Sequence, residues 1–243
     1  MLHKIHINQE ESIRIIMLPG WQETNKIFLP LVNDLNNYEL VIFDLPGFGE
    51  SLPPTKRLGS YGYAELIAQK IYTMTPKPTV ILGHSFGTRI AMQMAVNSNL
   101  PIIGLVLLAA TGIIKERNFS YRYRAFIIGI LNKLNKNKNS KIRKIILNCL
   151  LGVEYRQLKK MRHIMEEIHV EDLTELFPQV KQRSILIHGQ YDKHTPPKLG
   201  EKISNLMPFA KLLVIPHCDH RTIIEKGKTA VLSSIRELTI NEV

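Results

Sequence analysis

Three side chains in this sequence have the types that would let a serine attack a carbonyl carbon: Ser85, Asp192 and His220. A serine hydroxyl is a weak nucleophile until a base takes its proton. An imidazole does this well only when a third group fixes its tautomer and stabilises its charged form. Ser85 lies in Gly83–His84–Ser85–Phe86–Gly87, between an apolar run from Thr79 and a helix-like stretch from Thr88 to Ala95. A serine between a strand and a helix sits on a sharp, strained turn that lifts its Oγ clear of the backbone, with glycines leaving room on either side. The same turn aims the N–H of Phe86 at the place where an oxyanion would form.

The elements that must position these residues are legible as alternating strands and helices. Short strands are expected at His3–Ile7, at Ile13–Leu18 (stopped by Pro19–Gly20) and at Tyr38–Asp44. Between the last two, Thr24 would cap a helix with Ile27, Phe28, Leu31, Val32 and Leu35 on one face. A further helix is expected over 61–73, and the continuous apolar run Ile102–Ala110 reads as a strand covered on both faces. The alternation stops between Thr111 and Pro178, where amphipathic helical stretches at 125–134, 142–151 and 155–168 are expected to form a cap. It resumes with strands at Ser184–Gly189 and Lys211–Ile215, a helix over 197–207 opened by its prolines, and a C-terminal helix over 222–238. Apolar strands alternating with helices imply a mostly parallel sheet with helices on both sides. Ser85, Asp192 and His220 each follow the end of a strand, so in such a sheet all three open onto one edge, where ligands bind.

Other candidate groups read as structural. His84 points away from its serine and is expected to pack or hydrogen-bond, and His188, at a strand end, is expected to be structural. Asp219 reads as a loop former, and at this point it and His217 stand as alternatives to Asp192 and His220 for the acid and the base. Asp44 is expected to brace the Gly47–Gly49 loop, and Cys218 to be a buried, inert thiol. The histidines show no paired ligand spacing, so no metal is expected.

Composition narrows the setting. Apolar residues make up 44% and charged residues 22% of 243 residues, enough for one α/β domain with an insertion. The first twelve residues hold no apolar run of signal-peptide length, and no stretch reaches the ~20 apolar residues of a membrane span. Two cysteines make no disulfide framework, so the cytoplasm is the expected compartment, with a monomer as the expected state. The net charge of +11 is concentrated. Residues 113–163 carry 14 Lys+Arg against two acids, Glu116 and Glu154. This segment reads either as a solvated surface or as a docking face for an acidic macromolecule, with Arg122, Arg124, Arg143, Arg156, Lys159 and Arg162 as the contacts. Nucleic acid is not expected, because stacking aromatics are sparse and no module is matched.

Leu18–Pro19–Gly20–Trp21, Phe43 to Ser51 (Phe-Asp-Leu-Pro-Gly-Phe-Gly-Glu-Ser), the Gly83–Gly87 motif, Gly189–Asp192 and Asp219–His220 together resemble the α/β-hydrolases over essentially the whole chain. The order Ser…Asp…His is theirs. The resemblance implies an α/β-hydrolase core over 1–111 and 179–243, with a helical cap (112–178) inserted before the last two strands. It makes Ser85 the nucleophile, His220 the base and then acid, and Asp192 the orienting carboxylate. The backbone N–H groups of Trp21 and Phe86 would form the oxyanion hole, and no cofactor is implied. Pro19–Gly20 stands where many relatives have His-Gly, which alters the support of that loop and not the donor. Within the superfamily, the Gly-Trp loop, the compact length and the basic cap are similar to the pimeloyl-[acyl-carrier protein] methyl ester esterases of biotin synthesis. That likeness implies a carrier-bound methyl ester as substrate and acyl carrier protein as partner at the cap. The alternatives are a general short- to medium-chain carboxylesterase, a C–C bond hydrolase of the same fold, or, in another class, a non-catalytic binding module or peripheral membrane protein.

Overall fold

The protein is described here from a computed structural model, in which residues 2–56, 58–113, 161, 164, 168 and 171–240 are described. Seven strands form one sheet: β1 (Lys4–Ile7), β2 (Arg14–Leu18), β3 (Glu39–Phe43), β4 (Thr79–His84), β5 (Ile102–Leu108), β6 (Arg183–Gly189) and β7 (Ala210–Ile215). Their order is β1-β3-β2-β4-β5-β6-β7, with β1 antiparallel to β3 and every other pairing parallel. The run of β-branched and aliphatic residues in β2 to β5 is explained by this placement. These strands are inside the sheet, covered on both faces, and almost every residue in them is buried. The edge strands β1 and β7 are only partly buried, and β7 mixes Lys211 with Leu212 and Leu213 accordingly.

Helices α1 (Leu29–Val32), α2 (Ser60–Tyr72), α3 (Phe86–Asn97), α4 (Pro197–Leu206), α5 (Ile223–Lys226) and α6 (Lys228–Thr239) accompany the sheet. One core layer joins Ile15 and Met17 of β2, Leu82 of β4, Val106 of β5 and Ile187 of β6 to Leu31 of α1 and to Val231, Ile235 and Leu238 of α6. The α6 residues recur at helical spacing, which gives that helix one apolar face. On α3, every residue from Phe86 to Ala95 is buried, as suits a helix packed between β4 and α2.

Two expected helices differ from expectation, each for a local reason. The one after Thr24 is a 3₁₀ turn (Asn25–Phe28) followed by the single turn of α1. Pro30, in the first turn of α1, has no N–H with which to continue the hydrogen-bond ladder from the 3₁₀ turn. Thr24 makes no side-chain cap; Asp44 accepts the Asn25 N–H instead, at 2.7 Å. The C-terminal helix is divided at Gly227 into α5 and α6, consistent with glycine's poor helix propensity.

By compactness the chain separates into one unit of Met1–Ile113 with Glu171–Val243 and a second of Ile114–Val170. The helices expected in the cap, and with them Arg122, Arg124, Arg143, Arg156, Lys159 and Arg162, lie outside the described residues. No helix among the described residues is long and apolar enough to cross a membrane.

Candidate active site

The strand order itself creates the site. Successive connections leave β2 and β4 in opposite directions across the sheet, so the loops after these neighbouring strands part and open a crevice at their C-terminal ends. Ser85 sits there, with φ +50° and ψ −113°, a strained conformation for a residue with a side chain. The surroundings hold it in place. Its N–H donates to Leu108 O at 2.9 Å, and its carbonyl accepts from Thr88 Oγ1 at 2.6 Å. Gly87 is obligatory by close approach: a Cβ there would lie 2.1 Å from the Leu18 carbonyl oxygen.

Asp192 and His220 start farther away, since β6 and β7 lie two and three strands from β4. The loop after β7 closes the gap by folding over the end of β6. Tyr191 N–H donates to Cys218 O at 2.8 Å, and a Cβ on Gly189 would meet that same oxygen at 2.6 Å. His220 is thereby returned to the serine. Its Nε2 is 3.2 Å from Ser85 Oγ and its Nδ1 is 2.7 Å from Asp192 Oδ2. The tautomer follows: Nδ1–H donates to the carboxylate, leaving Nε2 to accept from the hydroxyl.

Asp192 has a fully buried side chain and four hydrogen bonds. His194 N–H and Thr195 N–H both donate to Oδ1 at 2.8 Å; Thr195 Oγ1 donates to Oδ2 at 2.6 Å, beside His220. Burial alone would raise its pKa, but the hydrogen bonds from His220 and Thr195 hold it down at about 2. It stays ionised wherever His220 could act as a base.

An apolar wall lies beside Ser85. Phe86 meets Trp21 and Tyr63 edge-on at ring-centroid distances of 5.6 and 5.2 Å, and Trp21 meets Phe48 at 4.8 Å. Tyr63 is buried, donates to Pro46 O at 3.0 Å, and its phenol is pushed well above the usual range by burial. On the oxyanion side, a Cβ built on Gly20 would lie 3.1 Å from Ser85 Cβ, so the Pro19–Trp21 backbone runs directly against the serine.

The other candidates occupy structural positions. Asp44 accepts from Asn25 N–H and Glu50 N–H and contacts His3 Nδ1 at 3.0 Å, tying the 47–51 loop to β1. Asp219 Oδ1 accepts from Arg221 N–H, Thr222 N–H and Thr222 Oγ1, closing the loop before α5. His188 is buried; its Nδ1–H donates to Thr195 O and its Nε2 accepts from Ala110 N–H, so it is neutral, and burial lowers its pKa. Cys218 is buried and its thiol pKa is raised by that burial. Among the described residues no cluster of His, Cys, Asp and Glu could hold a metal ion. Sequence reasoning did not single out Glu23 or Thr195, both of which contact the site. The only signal for Glu23 was a carboxylate three residues after Gly20.

This geometry can supply a serine alkoxide at a carbonyl, with an imidazole to shuttle the proton. Comparison with known proteins agrees in class. Residues 13–140 match the family model described as alpha/beta hydrolase fold. The chain belongs to the α/β-hydrolase fold family. It is 24% identical, over 86% of its length and 87% of the relative's, to a pimeloyl-[acyl-carrier protein] methyl ester esterase of Wigglesworthia glossinidia brevipalpis. It is 26% identical, over 81% and 82%, to the AB hydrolase superfamily protein YisY of Bacillus subtilis. Among solved structures, a lipase-esterase related protein from Clostridium acetobutylicum superposes with a TM-score of 0.72 at 19% identity, covering 98% of this chain and 99% of that one.

Proposed function

We propose that the protein is a serine carboxylesterase. The observation that carries this reading is the continuous contact from Asp192 through His220 to Ser85, with His220 presenting a bare Nε2 to the hydroxyl at 3.2 Å. Ser85 Oγ attacks the ester carbonyl while His220 takes its proton, and Asp192 stabilises the imidazolium that results. The oxyanion is held by the Phe86 N–H at the start of α3 and by the Trp21 N–H, donors of a kind worth about 3–4 kcal/mol to the transition state when one is lost. His220 then protonates the departing alcohol. A water activated by the same nitrogen hydrolyses the acyl-enzyme and returns the proton to Ser85. The aromatic wall of Trp21, Phe48 and Phe86 suits an apolar acyl chain. Hydrolysis of p-nitrophenyl butyrate, abolished in Ser85→Ala, is the test; wild-type turnover in that variant contradicts the assignment.

A narrower substrate is favoured by a second observation. Relatives named pimeloyl-[acyl-carrier protein] methyl ester esterase, from Wigglesworthia, Nitrosospira, Shewanella and Xanthomonas, match at 21–27% identity over more than 80% of both chains. The 14 basic residues between 113 and 163 would suit an acidic carrier. In this narrower reading the substrate is a methyl ester on a carrier-bound acyl chain. Carrier-bound ester turned over much faster than the free ester, with a rate that falls as salt rises, supports it; equal turnover of the two leaves the general esterase reading alone.

A further inference from the structure

A second carboxylate–imidazole pair lies directly behind the first. Glu23 Oε2 accepts the Gly20 N–H at 2.6 Å and faces His84 Nδ1 at 2.7 Å. The other nitrogen of that ring, His84 Nε2, faces the carbonyl oxygen of His220 at 3.0 Å. The His84 side chain is 1% exposed. The chain of contacts therefore runs from the oxyanion loop, through the residue that precedes Ser85, to the backbone of the residue that faces its hydroxyl.

The partners fix the proton count. An imidazole with one hydrogen must leave its other nitrogen as an acceptor, and a buried acceptor set against a carbonyl oxygen is repelled. With Glu23 ionised, His84 faces an acceptor at both nitrogens. Building on the serine esterase reading, we propose that His84 is an imidazolium paired with ionised Glu23, and that this pair is the positioning element joining the oxyanion loop to the base loop. Glu23 and His84 are positioning residues, since neither touches Ser85 Oγ.

The pairing also explains why the carboxylate must carry charge. The rings of His84 and His220 lie 5.0 Å apart, centroid to centroid. A lone His84 cation would oppose the imidazolium that forms on His220 during acylation, and Glu23 cancels that opposition. The titratable groups facing Glu23 are His84 and His220; burial works against its charge, but the hydrogen bond and charge of His84 hold its pKa below the usual range. Glu23→Gln retains the shape and an oxygen for the Gly20 N–H, and removes only the charge.

The experiment has two arms. In the first, two-bond ¹H–¹⁵N spectra of the ¹⁵N-labelled full chain at neutral pH read the histidine rings directly. Both nitrogens of His84 are expected at protonated shifts, with His188 as an internal standard showing one donor and one acceptor. A bare nitrogen on His84 overturns the proposal, and this arm needs no variant and no turnover. In the second, Glu23→Gln is expected to lower kcat on p-nitrophenyl butyrate by about 10- to 100-fold while KM stays within about twofold. Glu23→Asp is expected to recover part of the loss by restoring charge. Wild-type kcat in Glu23→Gln overturns the positioning role. If the wild-type chain hydrolyses no ester, the esterase reading fails alone, and the ring-nitrogen spectrum still decides whether the ion pair exists.

Discussion

The two ends of the sheet each hold a buried carboxylate against an imidazole, and they differ in what the other nitrogen of the ring meets. At the C-terminal edge, Asp192 holds His220, whose Nε2 meets the Ser85 hydroxyl. At the opposite edge, Glu39 holds His6 Nε2 at 2.6 Å, and His6 Nδ1 meets the Lys4 ammonium at 3.1 Å. Glu39 also pairs with Arg14 Nη2 at 3.0 Å and Lys77 Nζ at 2.9 Å. There the far nitrogen of the ring meets an ammonium in place of a hydroxyl, and Arg14 and Lys77 complete the carboxylate's partners, so the cluster ties β1, β2, β3 and the approach to β4 together. Ser85, at the upper edge, also has positive φ, a strain that holds its side chain in the crevice. A carboxylate–imidazole pair becomes a reactive site only where its far nitrogen is left facing a hydroxyl.

The largest expected effect breaks the upper edge alone. Ser85→Ala should lower kcat on p-nitrophenyl butyrate by about 10⁴-fold or more, leaving residual turnover from binding and the oxyanion donors. Asp192→Asn should follow at up to about 10⁴-fold, because an amide can hold His220 in the wrong tautomer. Steady-state kinetics on folded, monodisperse protein checks both.

The lower edge should answer in stability and not in rate. Arg14 and Glu39 have side chains 2% exposed, so Glu39→Gln strands a buried guanidinium and should cost about 3–5 kcal/mol in urea unfolding. The kcat of the protein that remains folded should be unchanged; a fall in kcat at constant fold would erase the distinction between the edges.

Acid should weaken the upper edge first. His188 has a folded pKa below its unfolded value, so the unfolded chain binds the extra proton, and its contribution is lost as pH falls below about 6.5. Asp192 has its pKa depressed from 3.8 to about 2, so its contribution is present above pH 3.8 and is lost as pH falls toward 2. That shift corresponds to about 2 kcal/mol. Urea midpoints measured from pH 8 down to 3 should fall, and His188→Gln should flatten the first part of the curve.

The smallest effect has the opposite sign. Ser85→Gly removes the side chain from φ +50° and should raise stability by about 1 kcal/mol while abolishing activity. A loss of stability in that variant would mean that the turn is not strained.

The parts of the site legible in the sequence are those written in short strings. Gly83–Gly87, Gly189–Asp192 and Asp219–His220 each carry their strand ending and their reactive residue together, so the edge they share follows from topology. The Glu23–His84 contact joins residues 61 positions apart and depends on how two loops fold against each other, which no local pattern records. Arg14 and Glu39 open apolar strands and read as boundary charges; their burial against each other is set by the β2–β3 register, in which they are direct partners. The helix after Thr24 shows the opposite failure. Its apolar spacing is sound, but Pro30 lacks the N–H that would join the 3₁₀ turn to α1, and the stretch is split there. The basic run between 113 and 163 is plain in the sequence, and its role rests on the carrier-bound ester assay.

The proposed nucleophile is Ser85. The most direct measurement is treatment of the full chain with a fluorophosphonate, followed by intact mass and peptide mapping. One adduct per chain is expected, on Ser85, formed slowly in His220→Ala and absent from Ser85→Ala. An adduct on another residue, or equal labelling of Ser85→Ala, would contradict that assignment.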